Sequence, residues 1–300
     1  MTLIKICGKD VKIEGRFLRI AHFDGDKYNF PDDPEAVLDG LRNCGARIDL
    51  FTFLQRLPET SPKYAYPMER DNFAVLPVSS FEVWWTKQVD NKTRNMVRKG
   101  EKKGVGTREM VFGDTVVRGI WGINNECPIR QGKRFPHYGM SLERTLEYAG
   151  TFLDRSIFIG AFLGNSMVGF VKLVTDETRT HACVVHILSM VQHKDKAPTN
   201  ALIAQAVRSC AERGISYLVY ENFAYGKKQR DSLSHFKEIN GFQRLDLPRY
   251  YVPLTGIGWT AFRLGLHHKF VNYLPESIGA KLREFRKAWY GRGIQPVREP

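Results

Sequence analysis

Reactive side chains are concentrated in the segment Glu126–Gly139, which reads ECPIRQGKRFPHYG. The segment combines a carboxylate, arginines and a His–Tyr pair between two stretches with helical patterns, which favours ligand contact over simple turn formation. Glu126 is the first candidate for a proton-accepting or amine-binding carboxylate. The candidates for substrate contact in the same segment are Arg130, Gln131, His137 and Tyr138.

A second candidate base is His186, in the middle of HACVVHILSMV, a stretch rich in the β-branched residues typical of strands. A lone histidine on a buried strand is also compatible with a role in the core, so both interpretations stay open. The spacing of the nucleophilic residues supports neither a Cys–His set nor a Ser–His–Asp set. The sequence contains no metal-binding motif, so no metal is predicted.

These residues must be positioned by the elements around them, which follow a regular order. Pro198–Arg213 has apolar residues at helical spacing and ends at Gly214, which predicts a helix. A strand before it and a strand after it would form a crossover between parallel strands. The other elements predicted in this half are strands at Ser156–Leu163, Met167–Val174, His181–Val191, Ser216–Glu221 and Phe242–Leu254, and a helix at Asp231–Asn240.

The earlier half is patterned less regularly. Residues 1–44 show no clear period apart from a short helix predicted at Pro34–Leu41. The elements predicted after it are strands at Ile48–Leu54, Asn72–Val78 and Val105–Phe112, and helices at Asn91–Gly104, Thr115–Asn125 and Ser141–Thr151. The helix at Asn91–Gly104 is strongly basic.

This order of elements resembles the GNAT superfamily of N-acyltransferases and, within it, the Fem-type and BioF-like enzymes of bacteria. The basic helix NKTRNMVRKGEKKG is similar to the helix that opens the second acyltransferase-like domain of Fem-type enzymes. The resemblance covers about residues 80 to 254, with weaker similarity from 45 to 78. The other residues that carry it are Ser232-Leu233, Phe236-Lys237-Glu238, Gly241-Phe242 and Pro248-Arg249-Tyr250-Tyr251.

The resemblance implies an α/β fold with a GNAT-like mixed β-sheet flanked by helices. It also implies three regions. Residues 1–78 would form an N-terminal α/β region equivalent to part of an acyltransferase domain. Residues 79–254 would form the acyltransferase domain, and residues 255–300 a basic helical extension. Within the extension, Pro275–Trp289 is amphipathic, which fits either docking on the parent domain or contact with an anionic membrane.

Donor binding is also implied by the resemblance. In the superfamily, one strand diverges from its neighbour and its backbone holds the acyl donor, while the start of the next helix meets the donor's phosphates. The implied donor-binding residues of this chain are Leu188, Ser189, Met190, Val191, Gln192, Lys194, Lys196, Thr199, Asn200 and Lys237. Asn222 is implied as an oxyanion donor, and Tyr225 as an acid for the leaving group.

The loop Gln192–Ala197, QHKDKA, departs from the superfamily's phosphate loop because it has lysines where glycines are usual. Fem-type enzymes also lack those glycines, and their donor is an aminoacyl-tRNA. Two donors therefore stay open. We expect an acyl-CoA, of acetyl or longer chain, as co-substrate, with an aminoacyl-tRNA as the alternative.

Charge and composition indicate which kind of ligand the protein binds and in which cellular compartment it lies. The chain of 300 residues carries a formal charge of +13, with basic residues clustered at 87–108 and 263–292. Such clusters favour a polyanionic ligand, although a solvated helix face is an equal alternative. The five cysteines include no C-x-x-C pair, and no apolar run is long enough to span a membrane, which predicts a cytoplasmic protein. Peripheral contact with the inner membrane face stays open.

The expected function is transfer of an acyl group to an amine of a sugar, peptide or cell-envelope precursor. A non-catalytic GNAT-like module that binds an anionic ligand or a membrane surface is the alternative from another class. The sequence does not indicate an oligomeric state.

Overall fold

The structure is a computed structural model that describes residues 2–130, 132–224 and 232–268. Gln131, Tyr225 and the predicted helix at Pro275–Trp289 lie outside the described residues. The described strands are β1 Thr2–Ile6, β2 Lys9–Glu14, β3 Ile20–Phe23, β4 Leu50–Leu54, β5 Met68–Pro77, β6 Val105–Met110, β7 Ile129–Arg130, β8 Lys133–Arg134, β9 Ser156–Leu163, β10 Ser166–Thr175, β11 His181–Ser189, β12 Tyr217–Asn222 and β13 Gln243–Pro253.

The helices pack on both faces of the sheet that these strands form. The described helices are α1 Pro34–Asn43, α2 Phe81–Val83, α3 Asn91–Lys102, α4 Asp114–Asn125, α5 Leu142–Ala149, α6 Pro198–Glu212, α7 Ser232–Ile239 and α8 Gly256–Arg263. A π-helical turn, Trp84–Gln88, continues α2, and a 3₁₀ segment, Val191–Lys196, leads into α6. None of the described helices is both long enough and apolar enough to cross a membrane.

Eleven strands form one mixed sheet in the order β1-β2-β3-β4-β13-β5-β12-β11-β10-β9-β6. Most neighbours are antiparallel, while β3 with β4 and β11 with β12 are the parallel pairs. This architecture confirms the predicted α/β fold with a GNAT-like mixed sheet. Strands β4 and β5 from the N-terminal region pair with β13 from the far end of the chain, so both parts of the chain share one sheet.

The core beside α6 is built from the face that the sequence predicts. Leu202, Ile203 and Val207 are fully buried and pack, with Ile159 and Val171, against one face of the sheet. Alternate residues of the same strands point to the opposite face, as the period of a strand requires. There Phe158 and Phe170 pack against α4. The strands around the candidate site are therefore covered on both faces and held rigidly.

The N-terminal region differs from its prediction. Residues 2–23 are not loosely patterned but form β1, β2 and β3, three strands at the edge of the sheet. The alternation in β2 is short but regular, since Val11 and Ile13 are buried and their neighbours are more exposed. Strands this short give a weak pattern, and the sheet they extend is formed by distant residues.

Candidate active site

Two neighbouring parallel strands, β11 and β12, separate to form a cleft. They pair at only three positions, the last of which joins Cys183 to Val219. Just beyond it β11 carries one extra residue, Val185, in its pairing with β10. A bulge of this kind bends the strand that carries it. The end of β11 is thereby turned away from β12.

β12 is irregular at the same level. Its register with β5 shifts between Val219 and Asn222, and Glu221 has a positive φ of 44°. That conformation is uncommon for a residue with a side chain, and it is tolerated where surrounding contacts impose it. Both strands are therefore bent where they diverge, and the cleft is part of the fold.

A cavity of about 620 Å³ occupies this cleft. Its walls come from the end of β11, the start of α6, the β7–β8 segment, β12 and α7. The lining includes apolar groups from Ile187, Leu188, Phe135, Tyr220 and Phe236 and polar groups from Ser189, Thr199, Asn200, Lys194 and Arg134. Its volume and mixed lining are those of a small-molecule or cofactor site.

The Glu126–Gly139 segment is anchored to the cleft by an ion pair. Arg130 donates hydrogen bonds to the carbonyls of Ser189 (2.7 Å) and Ile123 (2.8 Å) and to Glu126 Oε2 (3.1 Å). The other carboxylate oxygen, Oε1, accepts from the backbone N–H of Gln192 at 3.0 Å. Both oxygens of Glu126 are thus engaged within the protein, an arrangement that suits holding the segment against β11 better than accepting a proton.

Three aromatic side chains meet on the α5 side of β11. The ring of His186 lies 4.3 Å from that of Tyr148, and the ring of His137 lies 4.6 Å from Tyr148. A hydrogen bond of 3.2 Å joins the Tyr148 hydroxyl to His137 Nε2. Burial, reinforced by His137, lowers the pKa of His186 to about 4, and burial also lowers the pKa of His137. Both imidazoles are therefore neutral near pH 7.

A buried lysine fixes the end of α5 beside this group. Lys172, paired with His186 across the strands, is 1% exposed. Its ammonium donates to the carbonyls of Ala149 (2.9 Å) and Thr151 (2.5 Å), the acceptors left open where α5 ends. Burial lowers the pKa of Lys172 to about 8. These bonds position Tyr148, one residue before the end of the helix.

Lys237 does not face the cavity, contrary to the donor contact that the resemblance implied. It is fully buried, its Nζ donates to the carbonyl of Asn222 at 2.5 Å, and it lies 4.6 Å from the centre of the Tyr220 ring. Lys237 therefore supports the bent part of β12, and Tyr220 presents the neighbouring surface to the cavity. Asn222 is held at the end of β12 through its backbone.

The loop before α6 makes its own backbone hydrogen bonds. The N–H groups of His193 and Ala197 donate to the carbonyls of Met190 (3.3 Å) and Lys194 (3.1 Å), and that of Gln192 donates to Glu126. Pro198 has no N–H. The backbone donors of Gln192, His193 and Ala197 are thus occupied, whereas Lys194 lines the cavity.

The predicted residues divide into those that line the cavity and those that do not. The lining group comprises Arg130, Leu188, Ser189, Val191, Lys194, Thr199 and Asn200. The group outside it, among the described residues, comprises Glu126, His137, Tyr138, His186, Met190, Gln192, Lys196, Asn222 and Lys237. Lys196 contacts His193 Nδ1 at 3.4 Å and Asp195 at 3.5 Å, so it does not reach the cavity.

Comparisons with known proteins agree on the fold. No protein-family model matches the sequence, and no curated protein does. The C-terminal domain of a candidate lysylphosphatidylglycerol synthetase from Agrobacterium fabrum is 14% identical, with a TM-score of 0.57 over 87% of this chain and 86% of that one. L-PGS from Bacillus licheniformis is 13% identical, with a TM-score of 0.55 over 87% of each chain. FemX is 9% identical, with a TM-score of 0.52 over 85% of this chain and 86% of that one.

The chain shares the fold of these three proteins. The sequence predicted the strand that diverges in this sheet and the helix after it, but not several of the groups around the cleft. Tyr148, Lys172, Tyr220 and Phe236 received no role. The sequence does contain a signal for Lys172. A lysine inside the apolar strand MVGFVKLV indicates a buried ammonium, which needs hydrogen-bond acceptors nearby.

Proposed function

We propose that this protein transfers an aminoacyl group from a charged tRNA to the amine of a peptide, sugar or other cell-envelope precursor. The observation that carries the proposal is the cleft between β11 and β12. It is flanked by a strongly basic helix and by a loop in which the N–H groups of Gln192, His193 and Ala197 are already bonded within the protein.

The free edge of β11 suits the acyl arm of the donor. Where β11 leaves β12, Ile187, Leu188 and Ser189 line the cavity and have no strand partner on the β12 side, and the Ser189 carbonyl accepts from Arg130. Unpaired strand edges bind extended chains through their N–H and C=O groups. An aminoacyl ester on the 3′ end of a tRNA, like the arm of an acyl-CoA, would enter the cleft in this way.

The loop and the basic helix beside the cleft suit the phosphates of a tRNA better than the pyrophosphate of CoA. A CoA pyrophosphate is usually held by backbone N–H groups at a helix start, and here those of Gln192, His193 and Ala197 are taken by protein acceptors. A tRNA needs no such pocket, because its phosphates are met by basic surfaces. Helix α3 offers five cationic side chains and one acidic one, and its Met96 lines the cavity.

The position of α3 next to the loop is fixed by close packing. A Cβ added to Gly100 would lie 2.8 Å from the carbonyl oxygen of Lys196, so only glycine permits this approach. Lys92 and Lys99 are exposed and lie four positions before and three after Met96, on the same face of the helix. They are the cations best placed to meet the backbone of a donor entering the cleft.

In the proposed reaction the acceptor amine attacks the ester carbonyl carbon. The new C–N bond forms, the bond to the tRNA 3′ oxygen breaks, one proton leaves the amine and one reaches the departing oxygen. We assign acceptance of the amine proton to water in the cavity, because His186, although neutral near pH 7, does not line that cavity. The amine becomes far more acidic once it has attacked the carbonyl, so a weak base suffices. Glu126 acts as a positioning residue.

The donor is tested by binding and by transfer. Purified protein is mixed with total aminoacylated tRNA carrying labelled amino acids, and separately with acetyl-CoA and longer acyl-CoAs. We expect filter-retained tRNA complexes whose affinity falls steeply with salt, and label transferred to one member of a panel of amino sugars, peptides and amino-lipids. Stable acyl-CoA complexes without tRNA binding would refute the donor assignment. Binding without transfer to any acceptor would favour the non-catalytic module.

A matched pair of variants localises the tRNA-binding surface. Lys92→Ala with Lys99→Ala should weaken tRNA binding and reduce the slope of log affinity against log salt by about 1.4 to 1.8, or about 0.7 to 0.9 for each phosphate that the protein no longer neutralises. Lys5→Ala with Arg16→Ala removes the same charge from exposed positions near the opposite edge of the sheet. That control should keep the wild-type slope. If both double variants lower the salt slope equally, tRNA binding depends on the overall charge of the protein and not on α3.

An acyl-CoA donor remains the second candidate because of Lys194. Lys194 lines the cavity beside the start of α6, where a single phosphate would meet both its ammonium and the helix dipole. Lys194→Ala should then weaken acyl-CoA binding by roughly 1 to 2 kcal/mol at low salt, the range of a charge-assisted contact. Unchanged affinity would assign Lys194 to solvent.

A further inference from the structure

A cluster of two histidines and a glutamate lies away from the cleft, where the segment after α8 meets β5. Glu69 is the second residue of β5, and His267 and His268 follow α8. The Nε2 atoms of both imidazoles lie 3.1 Å from the same carboxylate oxygen, Glu69 Oε1. The three potential ligand atoms all lie within 4.8 Å of one another. None of these residues lines the cavity of the candidate active site.

The spacing of these atoms matches the coordination shell of a small divalent ion. Zn²⁺ binds imidazole nitrogen and carboxylate oxygen at about 2.0 to 2.2 Å in tetrahedral geometry, which separates neighbouring ligand atoms by about 3.3 to 3.5 Å. Both nitrogen–oxygen separations in the cluster are within a few tenths of an ångström of that value. An ion could therefore enter with small side-chain movements.

The surroundings hold the ligands in place and leave one side open. The side chain of His267 is 1% exposed and packs on the rings of Tyr251 (4.5 Å) and Phe262 (5.1 Å). The side chains of Glu69 and His268 are each about one-third exposed, at 35% and 34%. A fixed imidazole beside two accessible ligands is a preorganised site with room for water at the remaining position.

The arginine opposite Glu69 in the sheet is paired with other carboxylates. Arg249 is the register partner of Glu69 across β13 and β5. Its guanidinium is used by two other carboxylates, Asp26 at 2.9 Å and Asp71 at 2.5 Å. The charge of Glu69 is therefore met by the two imidazoles, an arrangement that a cation would strengthen.

We propose that Glu69, His267 and His268 bind one divalent transition-metal ion of the zinc class, which fastens the segment after α8 to β5. The ligands are nearly 200 residues apart in sequence, so the ion would close a long loop of the chain. Two histidines and one carboxylate suit Zn²⁺ first, with Co²⁺ and Ni²⁺ as usable probes.

The test uses the full chain without a histidine tag. Zinc is titrated against a chromophoric chelator, and the metal retained after dialysis is counted by mass spectrometry. We expect one Zn²⁺ per chain, a visible absorption band of tetrahedral character with Co²⁺, and a higher thermal unfolding midpoint when zinc is added. Glu69→Gln and His268→Ala should each weaken zinc binding at least 10-fold. Loss of a residue that only hydrogen-bonds to a metal ligand already lowers metal affinity by about that factor.

A matched control separates the site from ordinary surface binding. His235 is an exposed histidine of α7 whose Nδ1 lies 3.8 Å from Glu238. His235→Ala should leave the stoichiometry, the cobalt spectrum and the zinc-dependent rise in the unfolding midpoint unchanged. Circular dichroism verifies that the Glu69→Gln and His268→Ala variants are folded. Absence of bound metal in the wild-type protein, or equal binding by wild type, Glu69→Gln and His268→Ala, would show that the cluster is held by hydrogen bonds alone.

Discussion

Acid should destabilise this protein through His186, and substitution of that residue isolates the effect. The folded protein lowers the pKa of His186 to about 4, chiefly by burial and then by the nearby His137, against an opposing contribution from Glu221. In the unfolded chain a histidine has a pKa of about 6.5. As the pH falls between these two values, the unfolded chain takes up a proton that the folded protein does not. The contribution of His186 to stability must therefore fall across this window and level off below about pH 4.

The size of the loss follows from the two pKa values. At about pH 5 almost every unfolded molecule carries the proton, whereas about one folded molecule in ten does. The linkage relation then gives a loss of about 2 kcal/mol for this residue between pH 7 and pH 5. His137 and His181, whose pKa values are also lowered by burial, act in the same direction. The total loss in the wild-type protein should exceed the share of His186.

Urea unfolding at pH 7 and pH 5, followed by circular dichroism, measures the effect. His186→Gln should be less stable than wild type at pH 7, because it loses ring contacts with Tyr148. Its stability should then decline less on acidification, by about 2 kcal/mol. His235→Gln, at an exposed position on α7, is the control and should follow the wild-type decline. An equal decline in wild type and His186→Gln would refute the conclusion that His186 is buried in its neutral form.

Three further substitutions test the packing around the cleft and the sheet. Glu126→Gln should keep turnover within about tenfold of wild type in the transfer assay, since a general base would contribute 10² or more and the amide still accepts from the loop. Gly100→Ala should cost about 1 to 3 kcal/mol in urea unfolding and weaken donor binding, while Gly106→Ala, where a Cβ meets nothing within 4 Å, should do neither. Arg249→Met should cost about 3 kcal/mol by leaving two carboxylates without their partner, against less than about 1 kcal/mol for Arg244→Met in an exposed pair; urea unfolding measures both.

Local patterns predicted the elements that carry the cleft. The helix α6 begins at Pro198, as predicted, and the hairpin strand Ser156–Leu163 has the predicted bounds. Both segments have a strong period and clear stop signals, because Gly214 ends the helix and Gly164 turns the hairpin. Sequence alone therefore placed the diverging strand and the helix after it in the correct order.

The arrangement within the site could not be predicted in this way. The bond between Glu126 and the backbone of Gln192 joins residues 66 positions apart, and it exists because β11 is bent by its bulge. The bulge itself has no composition signal, since Val185 is an ordinary strand residue. The group formed by His137, Tyr148 and His186 likewise depends on where a loop, a helix end and a bent strand meet. Such contacts are set by tertiary packing rather than by local propensity.

The buried cations around the cleft follow from the same irregular backbone. A regular strand or helix satisfies its own carbonyls, but a bent strand or a helix end leaves some without partners, and burying these is costly. Arg130 donates to the carbonyl of Ser189 at the end of β11, Lys237 to that of Asn222 at the end of β12, and Lys172 to that of Ala149 at the end of α5. Each cation loses hydration on burial, which an apolar residue would avoid. The cations are needed because the backbone is irregular at these three points, and these three points shape the cleft and fix the group around His186.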